Sequence, residues 1–347
     1  MTSTLADRLP PDRFEDVARM VLETPTYEYI RGGAGEEITL AENLAALRQW
    51  RLVPRVLAGD VTQVDLSTSA VGTPLQFPVM VAPMAVHRIA DADGELSTAN
   101  AVADGGSALV VAANASVAVE EIARAQPRAK LWLQLYNWSD REGLSRLIAR
   151  GEEAGVRAIV ATVNTPIVVS HGRPTTGFRT PPGVTYAHFD EFHGLDGGLD
   201  WSYVEWLRSR TALPVIVKGV LSPADAHLAA EAGAKGILVS NHGGRQLDRS
   251  MATIDALPAV VEAAGKHAEI YVDGGIRRGT DVLIALALGA RAVFIGRPVM
   301  WGLAVGGSAG VAAVFRHIKE ELREDMALSG ISSVAQLGRA AVMPVAR

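Results

Sequence analysis

Eight short apolar runs rich in β-branched residues succeed one another from residue 78 onward, each ending in polar or small residues and followed by an alanine-rich amphipathic segment. They are "PVMVAPM" from Pro78, "SALVVAAN" from Ser107, "KLWLQLY" from Lys130, "AIVATVN" from Ala158, "PVIVKGV" from Pro214, "GILVSNH" from Gly236, "EIYVDGG" from Glu269 and "AVFIGRP" from Ala292. Runs with no polar face suit parallel strands covered on both sides by helices. The segments between them, such as "SPADAHLAAEAG" and "RRGTDVLIALALG", read as helices with Ser or Thr near their starts and Gly at their ends. Eight βα units in about 220 residues predict an α/β fold, the (β/α)8 TIM barrel. A doubly wound sheet rarely needs eight such even repeats, and no GxGxxG follows the first run.

Run starts lie 22 to 33 residues apart except between the fourth and fifth, where the spacing is 56. The excess, "TPIVVSHGRPTTGFRTPPGVTYAHFDEFHGLDGG", is rich in Gly, Pro and Thr without clear periodicity, and reads as a long loop over the barrel mouth, a candidate lid. Before the barrel, residues 11–53 read as helices, and "VTQVDLSTSAVGTPLQF" alternates like a two-stranded hairpin that would plug the barrel's N-terminal face. The chain thus reads as one domain over 1–347: a helical segment 1–58, a hairpin 59–77, a barrel 78–330 and a tail 331–347 with one short helix in "SVAQLGRAA".

A formal net charge of -5 and the lack of any long basic run give no attraction to nucleic acid or to an anionic membrane surface. No unbroken apolar run approaches the ~20 residues that span a bilayer. The N-terminus "MTSTLADRLPPDRFED" has no apolar stretch for export, which predicts a cytoplasmic protein. The absence of cysteine removes disulfides, thiolate nucleophiles, iron–sulfur clusters and cysteine–zinc sites.

In such a barrel the C-terminal strand ends converge on one face. "SNHGGRQLD" delivers His242 there, with Gly243 and Gly244 permitting close approach and Arg245 bringing a cation. The other ends supply Gln134 and Tyr136, Thr162 and Asn164, Lys218, Asp273 with Gly274 and Gly275, and Gly296 with Arg297. In "DGGIRRG" and "IGRP", glycine amides, helix starts and arginines form an anion site, which predicts a phosphate-bearing ligand. A lone strand-end histidine is as often structural as catalytic; beside Arg245 in a Gly-rich turn, catalysis is the better reading. Lys218 reads either as a snorkelling strand-end lysine or as a functional cation, and Tyr29 by itself as helix packing. Gln134 and Tyr136 alternate with Leu133 and Leu135 and so share the ligand-facing side. His171, His188 and His193 lie in the irregular loop without aligned partners, and no metal site is predicted.

With these residues placed, the chain resembles the FMN-dependent α-hydroxy-acid oxidase and dehydrogenase family, which includes glycolate oxidase, lactate oxidase and the mandelate and hydroxymandelate enzymes. The likeness runs from "YEYIRGGAGEEITLAEN" through "PVMVAPMA", "LQLY", "VKGV", "SNHGGRQLD" and "DGGIRRGTDV" to "IGRPVMW". It implies FMN across the barrel mouth, its phosphate held by Gly275, Arg277, Gly296 and Arg297, with Asp273 and Gly274 in the same cofactor-binding turn. Lys218 would stabilise the reduced ring, Ser240, Gln134 and Thr162 would hydrogen-bond the cofactor, and the backbone of Pro83, Met84 and Ala85 would line it. His242 would be the base and Arg245 the carboxylate partner, with Tyr136 and Tyr29 donating to substrate oxygens. Whether His242 takes a hydroxyl proton during hydride transfer or the α-proton stays open. The family resemblance makes a homotetramer plausible.

Three departures from the family pattern follow. "TVNTP" stands for the family's "TVDTP", so Asn164 orients His242 without a stabilising charge, which predicts a weaker base. Ala112 replaces a serine and Asn114 an aromatic, which predicts a roomier, more polar pocket. The family's second substrate arginine falls at His171 or, with a shifted alignment, at Arg173. The implied activity is oxidation of a 2-hydroxy acid, with a mandelate-like aromatic one among the candidates, to the 2-oxo acid, with oxygen or another acceptor reoxidising the flavin. The alternatives are an FMN oxidoreductase of a specialised metabolite that is not a simple hydroxy acid, and a flavin-binding protein with little catalysis.

Overall fold

The computed structural model describes residues 6, 9–167, 178–189 and 194–345. Eight parallel strands close into a barrel: β1 (Val79–Val81), β2 (Ala108–Val111), β3 (Lys130–Tyr136), β4 (Ile159–Thr162), β5 (Val215–Val220), β6 (Gly236–Val239), β7 (Glu269–Asp273) and β8 (Ala292–Ile295). Each pairs with its chain neighbours, and β8 closes on β1 through Val293↔Val79 and Ile295↔Val81. This is the TIM barrel that the eight runs predict.

The reason lies in alternation. Met80, Val110, Trp132, Val160, Ile216, Leu238, Tyr271 and Phe294 fill the interior, while Val81, Leu109, Leu133, Ile159 and Val217 face the helices. Trp132, Tyr271 and Phe294 pack with ring centroids 5.6–6.0 Å apart. A hairpin of Thr68–Ala70 and Thr73–Leu75 closes the opposite end. Its Ala70 and Leu75 join the inner cluster. Trp132 Nε1 donates to Thr73 Oγ1 at 3.0 Å, and Val71 N donates to Glu269 Oε2 at 2.9 Å.

The helices are α1 (Phe14–Val21), α2 (Thr24–Arg31), α3 (Ile38–Leu47), α4 (Glu95–Gly105), α5 (Val119–Ala125), α6 (Arg141–Glu153), α7 (Ser202–Arg210), α8 (Pro223–Glu231), α9 (Thr253–Ala264), α10 (Gly279–Ala287) and α11 (Arg297–Leu328). Ser222 caps α8, its Oγ accepting from Ala224 N and Asp225 N. Thr280, by contrast, does not cap α10. The Asp281 carboxylate accepts from Arg277 N and Arg278 N at 2.8 and 2.9 Å, while the Thr280 hydroxyl donates to Asp325. Helix α11 is long and apolar enough to cross a bilayer, yet it breaks at Gly306–Gly307 and buries Val299, Trp301, Val311, Phe315 and Leu322 inside the molecule.

The tail departs from expectation. Instead of one helix, "SVAQLGRAA" forms two 3-10 turns, Val334–Gln336 and Arg339–Ala341, separated by an extended Gly338. A strand, Val342–Pro344, then pairs antiparallel with Trp50–Leu52, and Arg339 stacks over Trp50. Glycine lowers the helix propensity of this stretch, and pairing with the N-terminal segment satisfies the backbone instead.

Candidate active site

A cavity of about 370 Å³ opens at the C-terminal strand ends. Its wall holds Tyr29, Pro83, Met84, Ala85, Asn114, Tyr136, Lys218, His242, Arg245, Asp273, Gly274, Gly275, Arg277, Gly296 and Arg297, residues drawn from the whole chain. Ala112, Gln134, Thr162, Asn164 and Ser240 are not on the wall. Gln134 and Thr162 are buried and joined by a 3.0 Å bond from Gln134 Nε2 to Thr162 Oγ1, and Gln134 Oε1 accepts from Ala113 N at 3.2 Å. His171 and Arg173 lie outside the described residues.

After β6 the chain turns sharply, and His242 itself takes a left-handed backbone conformation with φ of 60°, a strained choice for a residue with a side chain. Three contacts hold it there. His242 N donates to Ser240 Oγ at 3.1 Å, and Gly244 N donates to Asn241 Oδ1 at 3.1 Å. Asn241 exchanges two side-chain amide bonds, 2.9 and 2.8 Å, with Asn43 of α3. The imidazole Nδ1 lies 3.2 Å from Asn164 Oδ1. Because Asn164 Nδ2 donates to Ser240 O at 3.4 Å, the amide oxygen faces the ring, Nδ1 carries hydrogen, and Nε2 is the basic nitrogen.

Asn164 reaches this position because β5 has a bulge at Gly219, where the register shifts between Lys218 and Val220. Gly219 has φ of 112°, and a Cβ there would come within 2.5 Å of the Asn164 side chain. Lys218 points inward and not to solvent: it is buried, donates to Ser240 Oγ at 2.8 Å and lies 3.2 Å from Asp273 Oδ2. The other Asp273 oxygen is buried, without a hydrogen-bond partner among the described residues.

Gly275, Arg277, Gly296 and Arg297 all lie on the cavity wall, as the sequence places them. The amides at the start of α10 are taken by Asp281 and by Glu321, which accepts from Gly279 N at 2.7 Å. Gly275, with φ of 82°, serves close packing, since a Cβ would lie 2.1 Å from Asn43 O. What faces the cavity instead is the pair of glycine turns after β7 and β8, Gly274–Gly275 and Gly296, together with two cations, Arg277 and Arg297. Arg297 donates to Ile30 O, Gly32 O and Gly243 O at 2.9–3.1 Å. Burial, then repulsion from Arg245 and Arg277, pushes its pKa well below the usual guanidinium value. Burial likewise lowers Arg277. Among the described residues neither has a carboxylate ion-pair partner. Guanidinium groups stay protonated, so two such cations facing a cavity call for an anion. A phosphate fits them.

Arg245 Nη1 donates to Tyr29 O at 2.8 Å and Gly32 O at 3.0 Å, and its guanidinium lies over the Tyr29 ring. Tyr29 in turn stacks on Phe178 at 4.0 Å, so the described part of the long loop reaches this side of the mouth, with Tyr186 and Leu195 on the cavity wall. His188 of that loop is structural. It is buried, accepts from Val119 N at 3.0 Å, and lies 2.9 Å from Ala113 O; burial lowers its pKa and keeps it neutral. Among the described residues no group of acidic or histidine side chains is arranged to hold a metal.

Sequence reasoning missed several residues here. Trp138 lines the cavity two positions after Tyr136, where strand period alone would place it. Asp248, the last residue of "SNHGGRQLD", accepts from Glu36 N and Thr39 N at 2.8 and 2.9 Å. Asn43, Thr165 and Tyr186 carried no local signal.

A closed parallel barrel whose mouth combines an amide-oriented histidine, a buried lysine and an arginine pair for a phosphate defines a flavin-type oxidoreductase. Residues 18–344 match the model of the FMN-dependent dehydrogenases, and the chain belongs to that family and uses FMN. It is 42% identical to human 2-hydroxyacid oxidase 1 over 95% of both chains, and 42% identical to L-lactate oxidase of Nostoc sp. over 93% of this chain and 95% of that one. Among solved structures, mandelate oxidase with (S)-2-phenylpropionate superposes with a TM-score of 0.89 at 40% identity, covering 99% of this chain and 98% of the other. A mandelate oxidase variant with 2-hydroxy-phenylacetamide gives 0.91 at 40% identity over the whole of both chains.

Proposed function

We propose that this enzyme oxidises a 2-hydroxy acid with an aryl side chain, of the mandelate type, to the 2-oxo acid, and that oxygen or another acceptor takes the electrons onward. The carrying observation is His242 with Nδ1 held on Asn164 and Arg245 three residues on, both facing one cavity. Bound FMN supplies the two-electron acceptor. His242 Nε2 takes the substrate proton, and its fixed tautomer keeps that nitrogen basic. Arg245, steadied by the carbonyls of α2, pairs with the carboxylate, and the Tyr29 and Tyr136 hydroxyls donate to substrate oxygens. Lys218, held between Ser240 and Asp273, would be the side chain that stabilises negative charge on the reduced flavin. The names of the relatives support the hydroxy-acid reading, and those of the solved structures the aryl one. We take the enzyme to be cytoplasmic and homotetrameric; fractionation of the producing cells and light scattering of the purified protein check these.

The test is anaerobic mixing of the yellow protein with S-mandelate and, separately, S-lactate, following the oxidised-flavin band. Bleaching by mandelate that slows about 10²–10⁴-fold in His242→Ala is the expected outcome. No bleaching by either acid in FMN-loaded protein would sink it and favour a second reading, motivated by Asn164: an FMN oxidoreductase of a specialised metabolite.

A further inference from the structure

The loop after β1 carries a strain that the proposed reaction leaves unexplained. Val86 takes a left-handed backbone conformation, with φ of 45° and ψ of 63°, which a β-branched side chain strongly disfavours. It is buried and directly follows Pro83, Met84 and Ala85, which line the cavity. Such a conformation persists only where the surroundings enforce it. Three successive amides do so here. Val86 N donates to Asn114 O, His87 N to Glu95 Oε1 and Arg88 N to Ser116 Oγ, each at 3.1 Å. Glu95 governs two of the three. Its Oε1 also accepts from Ser116 N at 2.9 Å, and its Oε2 accepts from the Ser116 hydroxyl at 2.6 Å, which leaves the Ser116 lone pairs to Arg88 N. Gly94 lets α4 sit this close, since a Cβ there would come within 2.8 Å of Arg88 Cγ.

We infer that Glu95 is a positioning residue, which holds Val86 in its strained conformation and so fixes the main chain of Pro83, Met84 and Ala85 on the wall of the cavity that receives FMN. Glu95 itself is buried at the start of α4 and does not line that wall, so it acts through the turn. A carboxylate suits the task because it only accepts, and the donors that meet it, two backbone amides and one hydroxyl, belong to the loops after β1 and β2. Burying its charge is costly without such donors, and here they come from the two segments that it joins. The His87 ring supplies no counter-charge: burial lowers its pKa and keeps it neutral, with Nδ1 2.9 Å from Thr98 Oγ1. This role concerns the cofactor whatever the substrate, and its failure would leave the hydroxy-acid reading standing.

The test is a double-mutant cycle read as the dissociation constant of FMN, from the fluorescence of flavin released on dilution, in the natural protein, Glu95→Ala, Val86→Gly and the pair. Glycine takes a left-handed conformation at no steric cost, so it removes the strain that Glu95 opposes. Glu95→Ala alone is expected to weaken FMN binding about tenfold. Val86→Gly in the same background should recover most of that loss, although thermal stability stays low because the amides that Glu95 served remain unmatched. Ser116→Ala, a milder break in the same network, runs the same cycle should Glu95→Ala not fold, with a smaller loss restored in the same way. Unchanged FMN affinity in the single variant, or a loss that Val86→Gly does not recover, overturns the inference and leaves Glu95 a packing residue.

Discussion

The two ends of the cavity are built on different principles. At the β7–β8 end, Arg277, Arg297 and the glycines between them are fixed by backbone: carbonyls of α2 hold Arg297, and Asn43 packs against Gly275. At the β2–β4 end, side chains carry the site: Asn114, Tyr136 and Thr165 on the wall, with Asn164 behind His242. A phosphate is the same in every substrate cycle and is met by geometry that tolerates no added atom. The group to be oxidised differs between enzymes, and its end of the mouth is written in single side-chain choices. On the proposed reading, one end would hold the cofactor and the other would define the substrate.

Breaking the first end should cost most. Arg297→Met leaves Gly32 O, Gly243 O and the ligand phosphate without their cation, and FMN affinity is expected to fall by about 2–5 kcal/mol. Fluorescence of flavin released on dilution measures this; an unchanged dissociation constant would show that the phosphate sits elsewhere. His242→Ala should still retain its flavin in the same assay, which separates the two ends directly.

A smaller change should sharpen the second end. Asn164→Asp places a charge beside the imidazole and stabilises its protonated form, so the acid limb of the kcat/KM profile should move to higher pH by about one unit. The sign follows from the base having to be unprotonated to act. A limb that stays in place would mean that Asn164 only orients the ring.

The smallest effect concerns the joint between the ends. Burial raises the Asp248 pKa, but the backbone N–H groups of Thr39, Arg249, Glu36 and Ile38 together outweigh it and the net shift is downward. A depressed carboxylate contributes stability above its unfolded value near ~4 and loses it as pH falls through the folded value. Asp248→Asn should therefore lower the melting temperature at neutral pH by a few degrees, about 1–2 kcal/mol. The gap from the natural protein should close on acidification below about pH 4. A gap constant with pH would show that the loss is not electrostatic.

The barrel was legible because strands with two apolar faces leave a long, regular trace, and the residues at their ends follow from convergence alone. The three-residue strands Trp50–Leu52 and Val342–Pro344 were not, since so short a run has no period to read. The start of α10 misled because Thr280 and Asp281 are both plausible caps, and only Asp325 nearby decides between them. The turn of "SNHGGRQLD" announced His242 and Arg245, yet the Asn43–Asn241 pair that holds it spans 198 residues. The arrangement over the loop, from the Tyr29–Phe178 stack to buried His188, came from packing that no local pattern encodes.

That pair of amides also sets an order of events. Translation makes α3 early, and Asn43 waits through the synthesis of six of the eight strands before Asn241 leaves the ribosome to meet it. Until then the left-handed His242 is held only from within its own turn, by Ser240 Oγ and the Asn241–Gly244 bond, and the tie from that turn to the N-terminal helices comes late.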